Sequence, residues 1–357
     1  MLKLEYKPYT LDFTFDAGTS RGVMKKRDVW FLKICDDRNP EVNGYGEVAP
    51  LHRLSIEDVS LIPDVLDQLQ KKIVNCTTPR TEAAALSLAK ELSPVPFASV
   101  RFGLEVALLD LLHGGQKLIF DNQFYREQVP VPINGLIWMG DIGTMKQRAQ
   151  EKLDQGFKCI KMKIGALDFQ QELEVLTLLR EFSAALELRV DANGAFANHE
   201  SLRKLLDLAD FNLHSIEQPI IPRQPEAMQL LCKKGAVKIA LDEELIGVES
   251  KAAKRELLEF LMPRYIVLKP SLIGGFESAR EWISLAEELG IGWWITTALE
   301  SNIGLNAIAQ FTAGFQNREY HGLGTGQLYH NNIDAPLKVA NGLISWDADQ
   351  DWGTMPL

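Results

Sequence analysis

Five residues whose chemistry could combine recur along the second half of the chain: Lys163, Asp191, Glu217, Asp242 and Lys269. Successive members lie 28, 26, 25 and 27 residues apart. Each sits at or near the end of a short apolar run: CIKMKI, LELRVD, LHSIEQ, VKIALD and YIVLK. The interval matches one βα unit, so a parallel repeat would bring all five to one rim of a barrel, the rim that carries active sites in such folds. The residues just before them (Met162, Val190, Ile216, Leu241, Leu268) are apolar. Side chains alternate faces along a strand, so the polar member of each pair points to the barrel axis, and Lys161 shares the face of Lys163. Taken singly, each acid reads as a solvated loop residue and each lysine as an ion-paired or snorkelling one. Taken in phase, they place charges where burial is unfavourable unless the groups pair or hold a metal.

Adjacent strands are about 4.8 Å apart, so Asp191, Glu217 and Asp242 can meet at one hard cation. Oxygen ligands suit Mg2+, with Mn2+ as the alternative. No histidine stands at these strand ends and no HxH or HExxH pattern occurs, which argues against zinc. Glu244 shares a face with Asp242, but Asp242 is better placed at the strand end, and Glu243 would stand behind it. A lysine of ordinary pKa near ~10.4 falls towards neutrality beside a metal, a second ammonium and a desolvating wall, and can then act as a base. Lys163 and Lys269 flank the three acids in strand order, one for each face of a bound substrate.

The elements that position these groups divide the chain by texture. Up to about residue 54 the sequence reads as strands with Asn-Pro and Asn-Gly turn signals. Helical stretches follow near 56–73, 80–92 and 97–115, giving an α+β domain over 1–125. Over 126–326 short apolar runs alternate with amphipathic helices. The strands are VPVPING, the five runs above and GWWIT, with a weaker eighth near Tyr320. The expected fold is therefore α/β, a (β/α)8-type barrel with an N-terminal α+β capping domain. The tail, 327–357, is expected to return to the capping domain.

IKMKIG, VDANGAF, IEQPI, ALDEEL and VLKPSLIGG resemble the enolase superfamily, in its muconate-lactonizing-enzyme subgroup. GTSRG, YGEVAPL, TTALESNIGLNAIAQ and GLGTG resemble more specifically the o-succinylbenzoate synthase family of menaquinone biosynthesis. The resemblance implies an enolase-like modified barrel in which Asp191, Glu217 and Asp242 hold Mg2+. It implies Lys163 as the acid/base residue, Lys161 as its modulator and Lys269 as stabiliser of the enolate on the opposite face. The reaction implied is dehydration of 2-succinyl-6-hydroxy-2,4-cyclohexadiene-1-carboxylate to o-succinylbenzoate. A dipeptide epimerase or N-acylamino acid racemase of the same superfamily would carry the same rim residues, although an epimerase would be expected to show an acidic Asp-x-Asp pair where GLGTG stands. A non-catalytic barrel used for binding would tolerate loss of one of the five; all are present.

Other positions are open to two readings. Gly324 in HGLGTG belongs to an anion-cradling loop or to a plain turn. Ser301 and Asn302 open a helix and either cap it or touch substrate. Asn193 forms an Asx turn or supports the site. Ser20 lies in the GTSRG loop, an ordinary turn by composition and a lid over substrate by resemblance. Trp293 and Trp294 are adjacent, so one faces the barrel interior, and both are expected to pack.

Bulk properties exclude several classes. The 357 residues carry a net charge of −10, with 46% hydrophobic and 24% charged residues, as in a globular protein. No basic stretch suggests nucleic acid or an anionic membrane as partner. MLKLEYKPYTLDF lacks the apolar core of a signal peptide, and no apolar run nears the ~20 residues that span a bilayer. Cys35, Cys76, Cys159 and Cys232 are scattered without a CxxC and read as reduced, small buried side chains. The expectation is a cytoplasmic enzyme acting on a small-molecule carboxylate; a homo-oligomer is allowed and not specified.

Overall fold

Alternating strands from Leu2 onward build an antiparallel sheet in the computed structural model, which describes residues 1–19 and 22–357. Its order is β1 (Leu2–Thr19), β2 (Gly22–Asp36), β3 (Asn39–Val48), each pairing with the next. Helices α1 (Ile62–Ile73), α2 (Glu82–Leu92) and α3 (Ala98–Leu112) cover it. The first helix begins later than its pattern suggests. Pro63 sits in its first turn, where a missing N–H does no harm, and a short 3-10 turn, Val59–Leu61, precedes it. α3 lies directly on β3. A Cβ on Gly44 would stand 2.0 Å from the Ala107 carbonyl oxygen, and one on Gly46 2.1 Å from that of Gly103. Only glycine allows that approach.

After α4 (Gln123–Arg126) the chain enters the barrel. The expected strand VPVPING is divided in two. Val131–Pro132 (β4) pairs with the C-terminal strand β13 (Leu343–Trp346), and Gly135–Ile137 (β5) joins the main sheet. Six further parallel strands follow: β6 (Cys159–Lys163), β7 (Glu187–Asp191), β8 (Ser215–Glu217), β9 (Ile239–Leu241), β10 (Tyr265–Leu268) and β11 (Gly292–Ile295). The eighth position is held by single residues rather than a strand. His321 bridges Ile133 and Gly322 bridges Thr296, both in parallel sense, closing β11 back towards β4. Helices α5 (Ile142–Asp154), α6 (Phe169–Phe182), α7 (Asn198–Ala209), α8 (Pro225–Lys234), α9 (Lys251–Leu261), α10 (Gly275–Glu288) and α11 (Asn302–Ala313) connect and cover the strands. Among the described residues no helix is long and apolar enough to cross a membrane.

The tail returns to both layers. Thr14 N donates to Leu328 O at 2.8 Å and His330 N to Asp12 O at 2.9 Å, tying it to β1. The hairpin β12 (Leu337–Ala340) and β13 instead extends β4. Strand alternation fills the barrel interior with Ala240, Tyr265, Val267 and Trp294, and the Arg189 guanidinium stacks 4.1 Å from the Trp294 ring centre. Trp293 faces the other way, with Phe315 at 5.3 Å.

Candidate active site

The six charged residues expected at the rim come together, each less than a tenth exposed. Register explains it: Lys163 pairs with Asp191, and Asp191 with Glu217, across β6, β7 and β8. Asp242 and Lys269 are the first residues after β9 and β10. Lys161 Nζ donates to Glu217 Oε2 at 2.8 Å and to Asp191 Oδ2 at 3.3 Å. Lys163 Nζ donates to Asp191 Oδ2 at 2.6 Å and to Asn193 Oδ1 at 2.7 Å, and Lys269 pairs with Asp242.

The three lysines do not respond alike. Burial pulls the Lys163 ammonium below its ordinary pKa, and the neighbouring Lys161 and Lys269 charges add to that against the pull of Asp191. Burial acts on Lys161 too, but Glu217 and Asp191 outweigh it and raise its pKa. Lys269 is also raised, because Asp242, Glu217 and Glu243 overcome its burial. Without a metal, Lys163 is thus shifted down and Lys269 up. Asp191, although buried, is held well below the carboxylate range by Lys163 and Lys161. Asp242 is pushed well above it by burial and by the crowding of Glu243, Glu217 and Asp191.

A divalent cation fits this donor set. Four buried carboxylates (Asp191, Glu217, Asp242, Glu243) face three ammonium groups, and Glu217 Oε1 is buried with no hydrogen-bond partner. The ligands offered are all oxygen, as Mg2+ requires. The side chains are turned onto the ammonium groups rather than gathered at a point. Among the described residues, the His/Cys/Asp/Glu group whose ligand atoms all lie within 4.8 Å of one another is a different one: Glu187, His214 and Glu319. That trio stands at the opposite end of the barrel. Its two carboxylates already neutralise the Arg189 guanidinium at 2.6 and 2.7 Å, which disfavours a cation there.

Several supporting groups carry no motif of their own. Asn193, at φ 44°, accepts from Lys163 and donates to Glu243 Oε1 at 3.0 Å, so it supports the site; the Asx-type bond here belongs to Asp191, whose Oδ1 accepts from Asn193 N at 3.0 Å. Gln218, at φ 40°, accepts from Asp242 N and Glu244 N at 3.3 and 3.4 Å and fixes the turn that presents Asp242. Two non-glycine residues in the left-handed region directly behind the acids mark a backbone held by its surroundings. Glu244 is taken up by Arg223 N, 3.0 Å from both its oxygens, which removes it from competition with Asp242.

A cavity of about 720 Å3 lies over the lysines. Thr296–Leu299 and Gly322, Gly324 and Thr325 form its barrel wall, and Phe15, Met24 and Leu51–Leu54 its cap. Gly324 thus faces substrate space. Two expected substrate contacts do not. Ser301 Oγ caps α11 through Ile303 N at 3.2 Å and donates to Glu47 Oε2 at 2.6 Å. Asn302 Nδ2 donates to Ile333 O at 2.6 Å. The correction has a simple cause: a helix N-terminus buried against the capping domain needs its N–H groups satisfied, which Ser301 does, while the Asn302 amide is taken up by the tail. Glu47 of β3 completes it by accepting from Ser301 N at 2.8 Å and Gly304 N at 3.0 Å. Ser20 lies outside the described residues.

Comparison with known proteins agrees with the fold. Residues 144–350 match the family described as enolase C-terminal domain-like. The chain belongs to the enolase superfamily, in the muconate-lactonizing-enzyme subgroup. It is 42% identical to the o-succinylbenzoate synthase of Desulfotalea psychrophila, over 96% of this chain and 98% of that one. The crystal structure of MenC from the same organism superposes with a TM-score of 0.85 at 39% identity, covering 96% and 99% of the two chains. An L-Ala-D/L-Glu epimerase from Bacillus subtilis shares the fold, with a TM-score of 0.83 at 18% identity over 96% and 95%.

Proposed function

We propose that this protein catalyses the o-succinylbenzoate synthase reaction, a syn-dehydration of 2-succinyl-6-hydroxy-2,4-cyclohexadiene-1-carboxylate. The observation that carries the reading is the charge of the cavity. Among the described residues lining it, Arg53, Arg148, Lys152, Lys161, Lys163 and Lys269 are cationic, and Glu151 is the only acid. Such a lining suits a substrate with two carboxylates and offers little to a substrate ammonium, which a dipeptide carries. The 42% identity to a synthase supports the same choice.

The chemistry follows from the lysines. Asp191, Glu217 and Asp242 would hold Mg2+, or Mn2+. Bound there, the cation supplies charge stabilisation to a carboxylate whose α-proton is leaving. Lys163, whose pKa is lowered, takes that proton as general base. Lys269, whose pKa is raised, stays an ammonium beside the developing charge. Lys161 holds Asp191 and Glu217 in place and faces the substrate carboxylate. Lys163 then returns its proton to the departing hydroxyl on the same face, so water leaves and the ring becomes aromatic.

Product formation followed by ultraviolet absorbance with Mg2+, and again after EDTA, tests the reading. Metal-dependent turnover is expected; none with metal present would overturn the substrate. One relative, the N-succinylamino acid racemase of Thermus thermophilus, is 28% identical over 84% of this chain. An N-succinyl amino acid is also a dianion without an ammonium, and Lys163 and Lys269 flank the acids as a two-base racemase requires. Deuterium incorporation at the α-carbon of N-succinyl amino acids in D2O distinguishes that second reading.

A further inference from the structure

The bend after β11 holds a leucine where leucine is strained. Leu299 has φ 66°, in the left-handed region that favours glycine, yet it is nine-tenths buried and lines the cavity. Four other segments grip the bend. Arg27 of β2 donates to Ala298 O and, at 2.6 Å, to Ala49 O. Tyr329 of the C-terminal tail donates its hydroxyl to Leu299 O at 2.6 Å. Glu300 accepts from Ala298 N at 2.7 Å and from the hydroxyl of Ser271, two residues beyond Lys269. Thr297 N donates to Gly322 O at 3.0 Å, tying the bend to the glycine loop as well.

Leu299 packs against the hydrophobic core and also lines the cavity, on backbone that glycine would take without strain. The side chain is kept, and the backbone is forced to present it to the cavity. We propose that Leu299 is a specificity-determining wall of the substrate cavity, and that Arg27 is the positioning residue through which the capping domain holds it. Arg27 is itself almost fully buried and reaches the bend through the Ala298 carbonyl and beside Tyr329, so it acts on substrate by way of the bend. The substrate assumed is the one proposed above, on which this inference rests.

The experiment uses the full-length, Mg2+-loaded protein. Steady-state constants for the cyclohexadiene substrate, calorimetric Kd for o-succinylbenzoate and Tm are measured for wild type, Leu299→Gly, Arg27→Met and the double variant. Leu299→Gly is expected to lower Tm less than loss of an unstrained buried leucine would, because relief of the strain offsets part of the lost packing. Its KM and Kd should rise about tenfold or more while kcat stays within about threefold. Arg27→Met should raise KM and Kd in the same direction, and adding Leu299→Gly to it should bring little further loss, since both act through one wall. A fall in Tm for Leu299→Gly with KM and Kd unchanged would make Leu299 an ordinary core residue and overturn the proposal. Fully additive effects on KM would overturn the role of Arg27 alone, and Leu299→Gly remains decisive if Arg27→Met fails to fold. A wild type that binds o-succinylbenzoate without turnover sinks the functional reading and leaves the wall tested by Kd. A wild type that does neither sinks both.

Discussion

At the residue scale, the proposed chemistry turns on one ammonium being easier to deprotonate than its neighbours. Lys163 is lowered and Lys161 and Lys269 are raised, though all three are buried beside the same acids. The difference is positional. Lys161 and Lys269 each sit against carboxylates that outweigh burial, whereas for Lys163 burial, with the Lys161 and Lys269 charges, outweighs Asp191. Lys163→Ala is accordingly expected to lower kcat about 10²- to 10⁴-fold, the usual contribution of a general base, with Mg2+ affinity retained. Parallel turnover and metal-binding calorimetry check both halves, and unchanged turnover would remove Lys163 from the mechanism.

At the scale of elements, the packing inside the capping domain and its joint with the barrel rest on residues that look unremarkable in sequence. YGEVAPL contains two of them. Gly46 lets α3 touch β3, and Glu47 caps α11 across the joint. Gly46→Ala should destabilise the protein by about 1–3 kcal/mol or more in urea unfolding, because the new methyl meets backbone that cannot move away. Glu105 of α3 reaches the start of α10, accepting from Phe276 N beside Arg101. Burial pushes its pKa up to about 7. The folded state therefore holds this proton more tightly than the unfolded chain, near ~4.3, does. The stabilisation is complete below that lower value and is lost as pH rises towards 7. Glu105→Gln should flatten the decline in stability over that window by about 3 kcal/mol at most, read as the difference in urea-unfolding free energy between pH 5 and pH 8.

At the scale of the whole molecule, the acids, lysines and cavity come from both layers and the tail, so metal, fold and substrate are linked. Mg2+ bound only by the folded protein should raise Tm, by the equivalent of about 2.7 kcal/mol at a hundredfold excess over Kd. Glu217→Gln should blunt that rise, since Glu217 Oε1 is the buried oxygen left without a hydrogen bond. Thermal scans with Mg2+ and with EDTA measure it, and an equal rise in the variant would place the metal elsewhere.

The sequence by itself determined the barrel and its rim. Strand alternation and a repeat of one βα unit are local rules, so they gave the inward phase of Lys161, Lys163, Asp191, Glu217, Asp242 and Lys269 before any packing was known. Only the tertiary structure decided the rest. Ser301 and Asn302 were legible as a helix start, but whether they face substrate depended on Glu47 and Ile333, which lie far away in sequence. The roles of Gln218, Arg27 and Leu299 rest on partners in other segments and on left-handed backbone that no local pattern announces. The unequal lysines belong to the same class. Their pKa values depend on burial and on charges brought from neighbouring strands, and both exist only once the barrel has closed.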